Sequence, residues 1–485
     1  MGKKKIKFSL VYRDMWQSSG KFQPRKDQLE RIAPVIIDMG CFARVETNGG
    51  AFEQVNLMAG ENPNEAVRAF CKPFNQVGIQ THMLDRGLNA LRMYPVPDDV
   101  RELMYKVKHA QGVDIPRIFC GLNDTRNIIP SIKWAKAAGM IPQATLCITT
   151  SPVHTVEYYS AIADEVIAAG AEEICLKDMA GIGQPAMLGA LTKSIKTKHP
   201  DIIVQYHGHS GPGLSMASIL EVCNNGADII DTAIEPLSWG KVHPDIISVQ
   251  SMLKNEGFEV ADINMNAYMQ ARTLTQEFID DWLGLFINPA NKHMSSLLLG
   301  SGLPGGMMGS MMSDLKGVHG AINMALKKSG KPDVSFEELT VQLFQEVERI
   351  WPMLGYPPLV TPSSQIVGTQ AVFNVVTGER YKMITKETKD VLAGRYGATT
   401  DPVDPDIQKL ALGDEEPITH RPADDLAPEL DTLEKEVGVY KEQDEDVLSY
   451  ALFPQVAMDF FKYRDAQKTG IDETKADKEN GAYPV

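Results

Sequence analysis

Eight short apolar runs with strand character recur over the first 240 residues: KFSLVY, FARVE, IQTHML, PRIFC, QATLCIT, EEICLK, IIVQYH and ADIIDTA. The segments between them have helical periodicity. VEYYSAIADEVIAAG, for example, carries apolar residues three and four positions apart. A strand followed by a helix, repeated eight times, predicts an α/β protein with a (β/α)8 barrel, that is, a TIM barrel. A doubly wound open sheet is the alternative.

The positions of the polar residues favour the barrel. Charged and imidazole side chains follow the apolar runs, where parallel strands end and barrel enzymes carry their chemistry. These residues are Arg13, Asp14, Glu46, Asp85, Arg86, Asp124, Lys177, Asp178, His207, His209 and Asp231.

The pattern changes after about residue 300, to helices and glycine-rich connections such as LPGGMMGSMMSDL. We therefore predict a barrel over 1–300, a mostly helical domain over 301–465 and a loose tail over 466–485. The acidic, proline-rich stretch from about 400 to 445 suits a surface segment with short helices.

Charge and cysteine usage narrow the class of protein. The 48 basic and 63 acidic residues give a net charge of -15, which argues against nucleic acid or an anionic membrane surface as a partner. None of the six cysteines forms a C-x-x-C pair, so buried, reduced thiols are expected. The chain starts MGKKKIKFSLVYRD, without an apolar leader, and no run approaches a membrane span. We expect a cytoplasmic protein.

His207 and His209 are two positions apart at the end of a strand, so their imidazoles point to the same side, with Cα atoms about 6.7 Å apart. Solvent-facing histidines are the alternative for an isolated pair. In a barrel, however, only one strand separates these residues from Asp14. A carboxylate and two imidazoles suit zinc, manganese or cobalt better than magnesium.

Lys177 ends a buried strand in ICLKDMAG. Beside a metal, a lysine must be neutral or chemically changed, since an ammonium group has no lone pair. A carbamate formed with CO2 would supply an anionic oxygen ligand. The alternative is that Lys177 pairs with Asp178 or Asp14.

Thr361 precedes a proline in LVTPSSQIVGTQAVF. The hydroxyl can be a helix N-cap, with proline at the first helical position. It can also carry a proton if the helix points at the metal.

Several motifs, taken in order along the chain, resemble one enzyme family. They are YRDMWQS, MLDRG, ICLKDMAG, YHGHSGPG, DTA, PGGM, GYPPLVTPSSQIVGTQAV and EDVLSYALFPQVAMDFFKYR. Together they are similar to the carboxyltransferase component of biotin-dependent enzymes that act on pyruvate and oxaloacetate. This family includes the oxaloacetate decarboxylase alpha subunit, the transcarboxylase 5S subunit and the carboxyltransferase part of pyruvate carboxylase. The resemblance extends from about residue 8 to 465.

The resemblance implies a (β/α)8 barrel completed by a helical domain that forms a funnel over the barrel top. In this family, Arg13, Gln17 and Arg86 would line the pyruvate pocket. Thr361 would carry a proton between the substrate methyl group and the biotin ureido nitrogen. The implied ligands of a divalent metal are Asp14, a carbamylated Lys177, His207 and His209.

The chain departs from the family pattern around biotin. Gln54 replaces an aspartate associated with biotin contact, and Met93 stands where pyruvate carboxylases have a biotin-contacting tyrosine. Gln365 follows TPSS where pyruvate carboxylases have lysine, as in the decarboxylase and transcarboxylase branch. Trp16 stands where histidine is common. The metal motif is thus intact while the biotin pocket is altered.

The chain contains no Met-Lys-Met biotinylation signal, so we expect biotin on a separate carrier protein. A membrane decarboxylase subunit or a biotin carboxylase would be a further partner, and the family resemblance implies a homodimer. Two other functions remain open. One is a metal-dependent aldol or Claisen-type lyase or synthase on the same barrel, and the other is a non-catalytic assembly subunit.

Overall fold

A computed structural model describes residues 4–301, 305–328, 330, 332–360, 362–472 and 475. Eight parallel strands form a closed barrel in sequence order, in which the first strand pairs with the eighth. The (β/α)8 prediction is confirmed, and the open-sheet alternative is wrong. The strands are β1 Lys7–Leu10, β2 Phe42–Asn48, β3 Gln80–Arg86, β4 Ile115–Phe119, β5 Gln143–Cys147, β6 Glu173–Asp178, β7 Ile203–Gly208 and β8 Ile229–Thr232.

The strands are nearly continuous apolar runs because both of their faces are covered. In β6, for example, all six residues are buried. Strand register places Lys177 of β6 beside His207 of β7. Two of the polar residues predicted at strand ends are therefore neighbours at the barrel top.

Helices cover the outside of the barrel. Several start where the sequence offers a capping side chain; Asp124, for example, accepts from the backbone N–H of Arg126, and Thr155 from that of Tyr158. The barrel helices are α1 Tyr12–Gly20, α2 Lys26–Asp38, α3 Gly50–Met58, α4 Pro63–Gln76, α5 Asp98–Ala110, α6 Thr125–Ala137, α7 Val156–Ala168, α8 Pro185–Lys198, α9 Ser215–Asn224, α10 Ile246–Asn255 and α11 Met265–Asp281.

The rest of the described chain is helical, as the sequence predicts. One part has its own apolar core, which includes Leu315, Leu343, Ile350 and Leu392. Short 3-10 turns cover 283–286, 289–292, 422–425 and 438–440. The helices are α12 Leu298–Ser301, α13 Gly305–Lys328, α14 Phe336–Met353, α15 Ser363–Thr377, α16 Lys386–Leu392, α17 Pro405–Leu412, α18 Leu430–Val437, α19 Glu445–Leu452 and α20 Pro454–Thr469.

The glycine-rich stretch after residue 304 is not a connection. Residues 305–328 form one helix, α13. Each glycine costs about 1 kcal/mol relative to alanine inside a helix. The methionine, leucine, lysine and alanine residues of the same stretch favour a helix and outweigh that cost. The sequence prediction of a connection here is wrong from Gly305 onward.

The helical region covers the barrel mouth. Val360 packs with Phe119 and Cys147 at the ends of β4 and β5. Ser363 donates from Oγ to the backbone oxygen of Gly121 (3.3 Å). Asp124, expected among the polar residues with a chemical role, instead caps α6 and accepts from the backbone N–H of Ala398 (2.8 Å). Asp124 therefore joins the two regions structurally.

Helices α18 to α20 return to the side of the barrel. Phe453, Phe460 and Phe461 belong to the barrel's apolar core and not to the core of α13 to α16. The short helices expected between 400 and 445 are present. The domain boundaries at 300 and 465 stay predictions. Of the tail, residues 473, 474 and 476–485 lie outside the described residues.

Two sequence expectations concern the chain as a whole. All six cysteines are free thiols with buried side chains, as predicted. In the part of the chain that the structure describes, no helix combines the length and the apolar character that a bilayer crossing requires.

Candidate metal centre and active site

Four buried side chains converge at the top of the barrel. Asp14 lies in the first turn of α1, His207 near the end of β7, His209 just beyond that strand and His243 in the segment after β8. Their donor atoms all lie within 4.8 Å of one another. Asp14 Oδ2 lies 3.1 Å from Nε2 of His209 and 3.4 Å from Nε2 of His207, yet it accepts no hydrogen bond from the described residues.

Neighbouring groups fix which nitrogen of each imidazole faces the centre. His207 donates from Nδ1 to Oδ2 of Asp231 (2.7 Å), and His209 donates from Nδ1 to the backbone oxygen of Lys241 (2.7 Å). Because both acceptors lack a proton, we assign the hydrogen of each ring to Nδ1, which leaves a lone pair on Nε2. This carboxylate or carbonyl support is the usual arrangement behind metal-binding histidines.

The protonation states match a cation site. Burial lowers the pKa of His207, and burial also holds the pKa of His243 well below its usual range. Burial raises the pKa of Asp14, but Arg13 and the imidazoles outweigh burial and hold it well below the normal value. The neutral rings of His207 and His243 and the ionised Asp14 therefore turn lone pairs toward one point, an arrangement that a divalent cation stabilises.

The amine of Lys177 lies beside the same cluster of side chains. Its Nζ is 3.0 Å from Nε2 of His207. Burial lowers the pKa of Lys177, which favours the neutral amine. Within the described structure Lys177 forms no ion pair with Asp178 or Asp14, so the pairing alternative is wrong. Asp178 accepts instead from the backbone N–H groups of Ile182 and Gly183, and burial raises its pKa to about 6.

Arg13 is buried beside Asp14. It donates from NH2 to Oε1 of Glu46 (2.6 Å) and from NH1 to Oε1 of Gln17. Glu46 therefore neutralises Arg13, and Gln17 is held at the same guanidinium.

Arg86 ends β3 and has no carboxylate partner among the described residues. It donates from NH1 to the backbone oxygens of Leu91 (3.2 Å) and Arg92 (3.4 Å), while its buried Nε has no acceptor there. Burial lowers the pKa of Arg86 to about 10, with the charge of Arg13 acting in the same direction. A cation in this position favours a bound anion.

The pocket at Arg86 shares part of its wall with an open cleft. Arg86 and Phe119 line an apolar pocket closed by Pro362, Ile366 and Tyr396. The last three residues also line an open cleft of about 880 Å³. The pocket at Arg86 therefore adjoins a wide opening between the barrel and the helical region.

The residues that depart from the family pattern lie in different places. Met93 and Gln365 line the open cleft, and both are exposed. Gln54 is exposed on α3, whereas Trp16 is buried and its ring contacts Tyr12. Two of the four departures therefore face the opening.

Thr361 lies outside the described residues. The helix that follows begins at Ser363, with Pro362 at its N-cap position. The N-cap prediction for Thr361 falls on a residue outside the described range and stays a prediction.

Neither His243 nor the supporting role of Arg117 is among the residues predicted from the sequence. Arg117 donates to Oδ2 of Asp231 (2.6 Å), and this charge holds the pKa of Asp231 well below its usual range although burial raises it. His243 lies in WGKVHP, the segment that follows β8. The rule that barrel chemistry lies in the segments after strands would have identified His243 if applied to all eight connections.

Two family models match parts of the chain. One, described as HMGL-like, matches residues 125–240, the second half of the barrel. The other, described as a conserved carboxylase domain, matches residues 333–481.

Several characterised proteins are similar over most of the chain. A pyruvate carboxylase subunit of Methanocaldococcus jannaschii is 36% identical over 456 residues, which are 93% of this chain and 76% of that protein. The methylmalonyl-CoA carboxyltransferase 5S subunit of Propionibacterium freudenreichii subsp. shermanii is 37% identical over 88% of this chain and 82% of its own. The 2-oxoglutarate carboxylase large subunit of Hydrogenobacter thermophilus is 33% identical over 100% of this chain and 73% of its own.

A solved structure shares the fold. The carboxyl transferase domain of Rhizobium etli pyruvate carboxylase, determined with pyruvate, superposes with a TM-score of 0.84 at 24% identity. The superposition covers 96% of this chain and 78% of that one.

Proposed function

Because the chain belongs to the carboxyltransferase family that contains the Methanocaldococcus jannaschii pyruvate carboxylase subunit and the methylmalonyl-CoA carboxyltransferase 5S subunit, we propose that it transfers a carboxyl group between oxaloacetate or pyruvate and carrier-bound biotin. One observation carries this proposal. A buried cluster of one carboxylate and imidazoles meets the Lys177 amine, with Arg13 and Arg86 at the same end of the barrel. These groups match the needs of a reaction that develops an enolate.

Asp14, His207, His209 and a carbamate on Lys177 hold the metal in this proposal, with zinc, cobalt and manganese as the candidates. The lowered pKa of Lys177 supports the carbamate, since the neutral amine is the form that combines with CO2. When bound, the metal supplies positive charge that polarises the 2-oxo acid.

Arg86 binds the substrate carboxylate in this proposal. Its guanidinium is the cation of the pocket without a carboxylate partner in the described structure, and a planar fork of donors matches a carboxylate. Arg13, already paired with Glu46, holds the amide oxygen of Gln17. Gln17 then offers its amide as a hydrogen-bond donor to the substrate.

Thr361 carries the proton. The biotin ureido nitrogen accepts or returns the carboxyl group. In the decarboxylation direction the Thr361 hydroxyl receives the ureido proton and passes its own proton to the substrate carbon that loses the carboxyl group. A hydroxyl suits this task because it donates and accepts at one oxygen.

The open cleft lined by Met93 and Gln365 admits the biotin arm, and the carrier lies outside residues 1–485. Several relatives are named as subunits, which supports partner subunits here. The partners proposed are the biotin carrier, with a membrane decarboxylase subunit or a biotin carboxylase, and a second copy of the chain. Six buried free thiols support a cytoplasmic location.

The relative named 2-oxoglutarate carboxylase large subunit makes 2-oxoglutarate the alternative acceptor. Membership of the carboxyltransferase family argues against the aldol or Claisen-type lyase or synthase. The other alternative is an assembly subunit without turnover. Biotin-dependent turnover in the following experiment would exclude it.

The test is oxaloacetate decarboxylation by the purified protein with and without free biotin or a biotinylated carrier. Lys177→Ala and Thr361→Ala are compared with wild type, and metal content is recorded for every sample. Lys108→Ala is the matched control for a buried lysine, because Lys108 pairs with Glu53 away from the centre. Thr340→Ala controls for loss of a helix hydroxyl.

The proposal predicts biotin-dependent turnover that both site variants abolish and both controls retain. Turnover without biotin contradicts it. So does an inactive wild-type protein that holds metal and is supplied with a biotinylated carrier.

A further inference from the structure

His243 is buried at the metal centre without a hydrogen-bond partner among the described residues. Its side chain is 0% exposed, and neither Nδ1 nor Nε2 forms a hydrogen bond with them. Its ring centroid lies 4.3 Å from that of His207 and 4.2 Å from that of His209. Its Nδ1 is 3.9 Å from Oδ2 of Asp14. Since an imidazole loses hydration on burial, leaving both nitrogens unpaired is costly unless another group binds one of them.

Other buried histidines of the chain differ in this respect. His82 is hydrogen-bonded through Nε2 to Oγ of Ser9 (2.9 Å), and His154 through Nδ1 to Oγ of Ser151 (2.7 Å). The protein thus gives these two rings a partner, and their burial needs no further explanation. For His243 the neighbours that remain are the donor atoms of the metal centre.

The backbone around His243 is fixed in place. We call Trp239–His243 the β8 loop. Its Trp239 N–H donates to the oxygen of His243 (2.8 Å), and Ser210 N–H donates to the oxygen of Val242 (2.7 Å). The oxygen of Lys241, in the same loop, orients His209. The β8 loop therefore positions both the Lys241 oxygen, which orients His209, and the ring of His243.

We propose that His243 is a further ligand of the metal, an inference that rests on the metal site proposed above. Two ligand atoms of one metal with bonds of about 2.0–2.2 Å lie about 3–3.5 Å apart. The distances from Asp14 Oδ2 to His209 and His207, 3.1 and 3.4 Å, lie in that range, and the distance to Nδ1 of His243, 3.9 Å, lies just above it. The centre then has three imidazoles and one carboxylate before Lys177 contributes anything.

This donor set has two consequences. The metal stays bound when Lys177 carries no carbamate, because four protein donors remain. A third nitrogen donor also favours zinc or cobalt over manganese, since imidazole suits the later divalent metals whereas oxygen ligands suit manganese. His243 is thus a determinant of metal choice as well as of affinity.

The first test measures the zinc affinity of His243→Gln by competition with a chelator. His154→Gln is the matched control, because it removes a buried histidine away from the centre. The unfolding temperature of the metal-free protein is recorded for both variants. We expect zinc affinity at least tenfold weaker in His243→Gln, a smaller preference for zinc over manganese, and control values within about twofold of wild type.

The second test replaces the imidazole by a thiol. His243→Cys loaded with cobalt(II) should show a thiolate-to-metal charge-transfer band in the near ultraviolet, since a cysteine thiolate is a metal ligand. His243→Gln should show an altered cobalt visible spectrum without that band. An unchanged zinc affinity in His243→Gln, together with a wild-type cobalt spectrum, overturns the assignment.

These readouts do not require carboxyl transfer. If biotin-dependent turnover is absent while His243→Cys shows the band, the proposed function fails and the ligand assignment stands. If turnover is present and His243→Gln binds metal like wild type, the assignment fails alone.

Discussion

Asp231 supports the proposed metal centre without facing it. Its Oδ2 accepts from Nδ1 of His207, and Arg117 holds it ionised. The carboxylate therefore keeps Nε2 of His207 directed at the centre. Loss of this support should therefore weaken metal binding, and the decrease in affinity can be measured.

Asp231→Asn should bind zinc about 10–100-fold more weakly, because an amide holds the imidazole less firmly than a carboxylate does. Chelator competition measures this. Asp85→Asn is the control, since Asp85 is a buried carboxylate paired with Arg101. Equal affinity losses in both variants would mean that Asp231 acts through general stability and would contradict the prediction.

Arg86→Gln should lower kcat/KM for oxaloacetate about 100-fold, mainly by raising KM. The reason is the loss of the proposed bidentate, charged hydrogen bonds to the substrate carboxylate. Steady-state kinetics with added biotin checks this. Arg126→Gln, which removes an arginine paired with Asp124, should leave KM unchanged. A normal KM in Arg86→Gln rules out its binding role.

The positions of Asp14, Lys177, His207 and His209 could be predicted together because strand ends meet at one face of a barrel. The same rule includes His243, which lies in the segment after β8, but it does not give the direction of its ring. It follows β8 by a segment with no periodicity, so nothing local indicates where its ring points.

The β8 loop is the element on which two imidazoles depend. Gly240 has φ +55°, and a Cβ there would lie 2.3 Å from the backbone oxygen of Asn291. A side chain at this position must therefore displace the loop.

Gly240→Ala should destabilise the protein by about 1–3 kcal/mol from the clash, in addition to about 1–2 kcal/mol for the left-handed conformation. It should also weaken metal binding, because the Lys241 oxygen and His243 move. Gly257→Ala is the matched control, with φ +83° and no atom within 4 Å of the added Cβ. Denaturant unfolding and chelator competition measure both effects. Normal zinc affinity in Gly240→Ala would contradict the link between this loop and the centre.

At the element scale, the eight strands could be predicted because strands buried on both faces give compact apolar runs. Strand β1 ends at Leu10, earlier than the run KFSLVY suggests, and Asp14 therefore lies in α1. Helix α13 could not be predicted from glycine content alone, because glycine lowers but does not abolish helix formation.

The barrel and the helical region meet around His154. Its ring stacks on Trp351, and Oγ1 of Thr400 lies 3.3 Å from its Nε2. Burial lowers the pKa of His154 to about 4. Proton uptake by this imidazole is therefore coupled to the contact between the two regions.

The pKa of His154 is near 6.5 in the unfolded chain and about 4 in the folded protein, so stability is lost as pH falls between these values. Between pH 7 and 5 the loss from this group is about 2 kcal/mol. Between pH 7 and 5, the free energy of unfolding of metal-free His154→Gln should fall by about 2 kcal/mol less than that of the metal-free wild type. Denaturant unfolding measures this difference. His293→Gln, at an exposed position, should follow wild type. Equal slopes in all three proteins would contradict the prediction.

At the scale of the whole molecule, the order of the regions follows from the change of pattern near residue 300. The return of α18 to α20 to the barrel side could not be predicted from the pattern. It depends on contacts between residues far apart in sequence, such as that of Asn64 with Ser449. The opening lined by Met93 and Gln365 likewise arises only from the packing of barrel against helices.

In the proposed function, one metal centre exchanges a carboxyl group between a 2-oxo acid and biotin. The most direct test incubates radiolabelled pyruvate with unlabelled oxaloacetate, the metal-loaded protein and a biotinylated carrier, and follows the label. We expect label to enter oxaloacetate only when biotin is present, and we expect Lys177→Ala to abolish this exchange and Lys108→Ala to retain it. Exchange without biotin, or no exchange by the metal-loaded wild-type protein with its carrier, would rule out the proposed function.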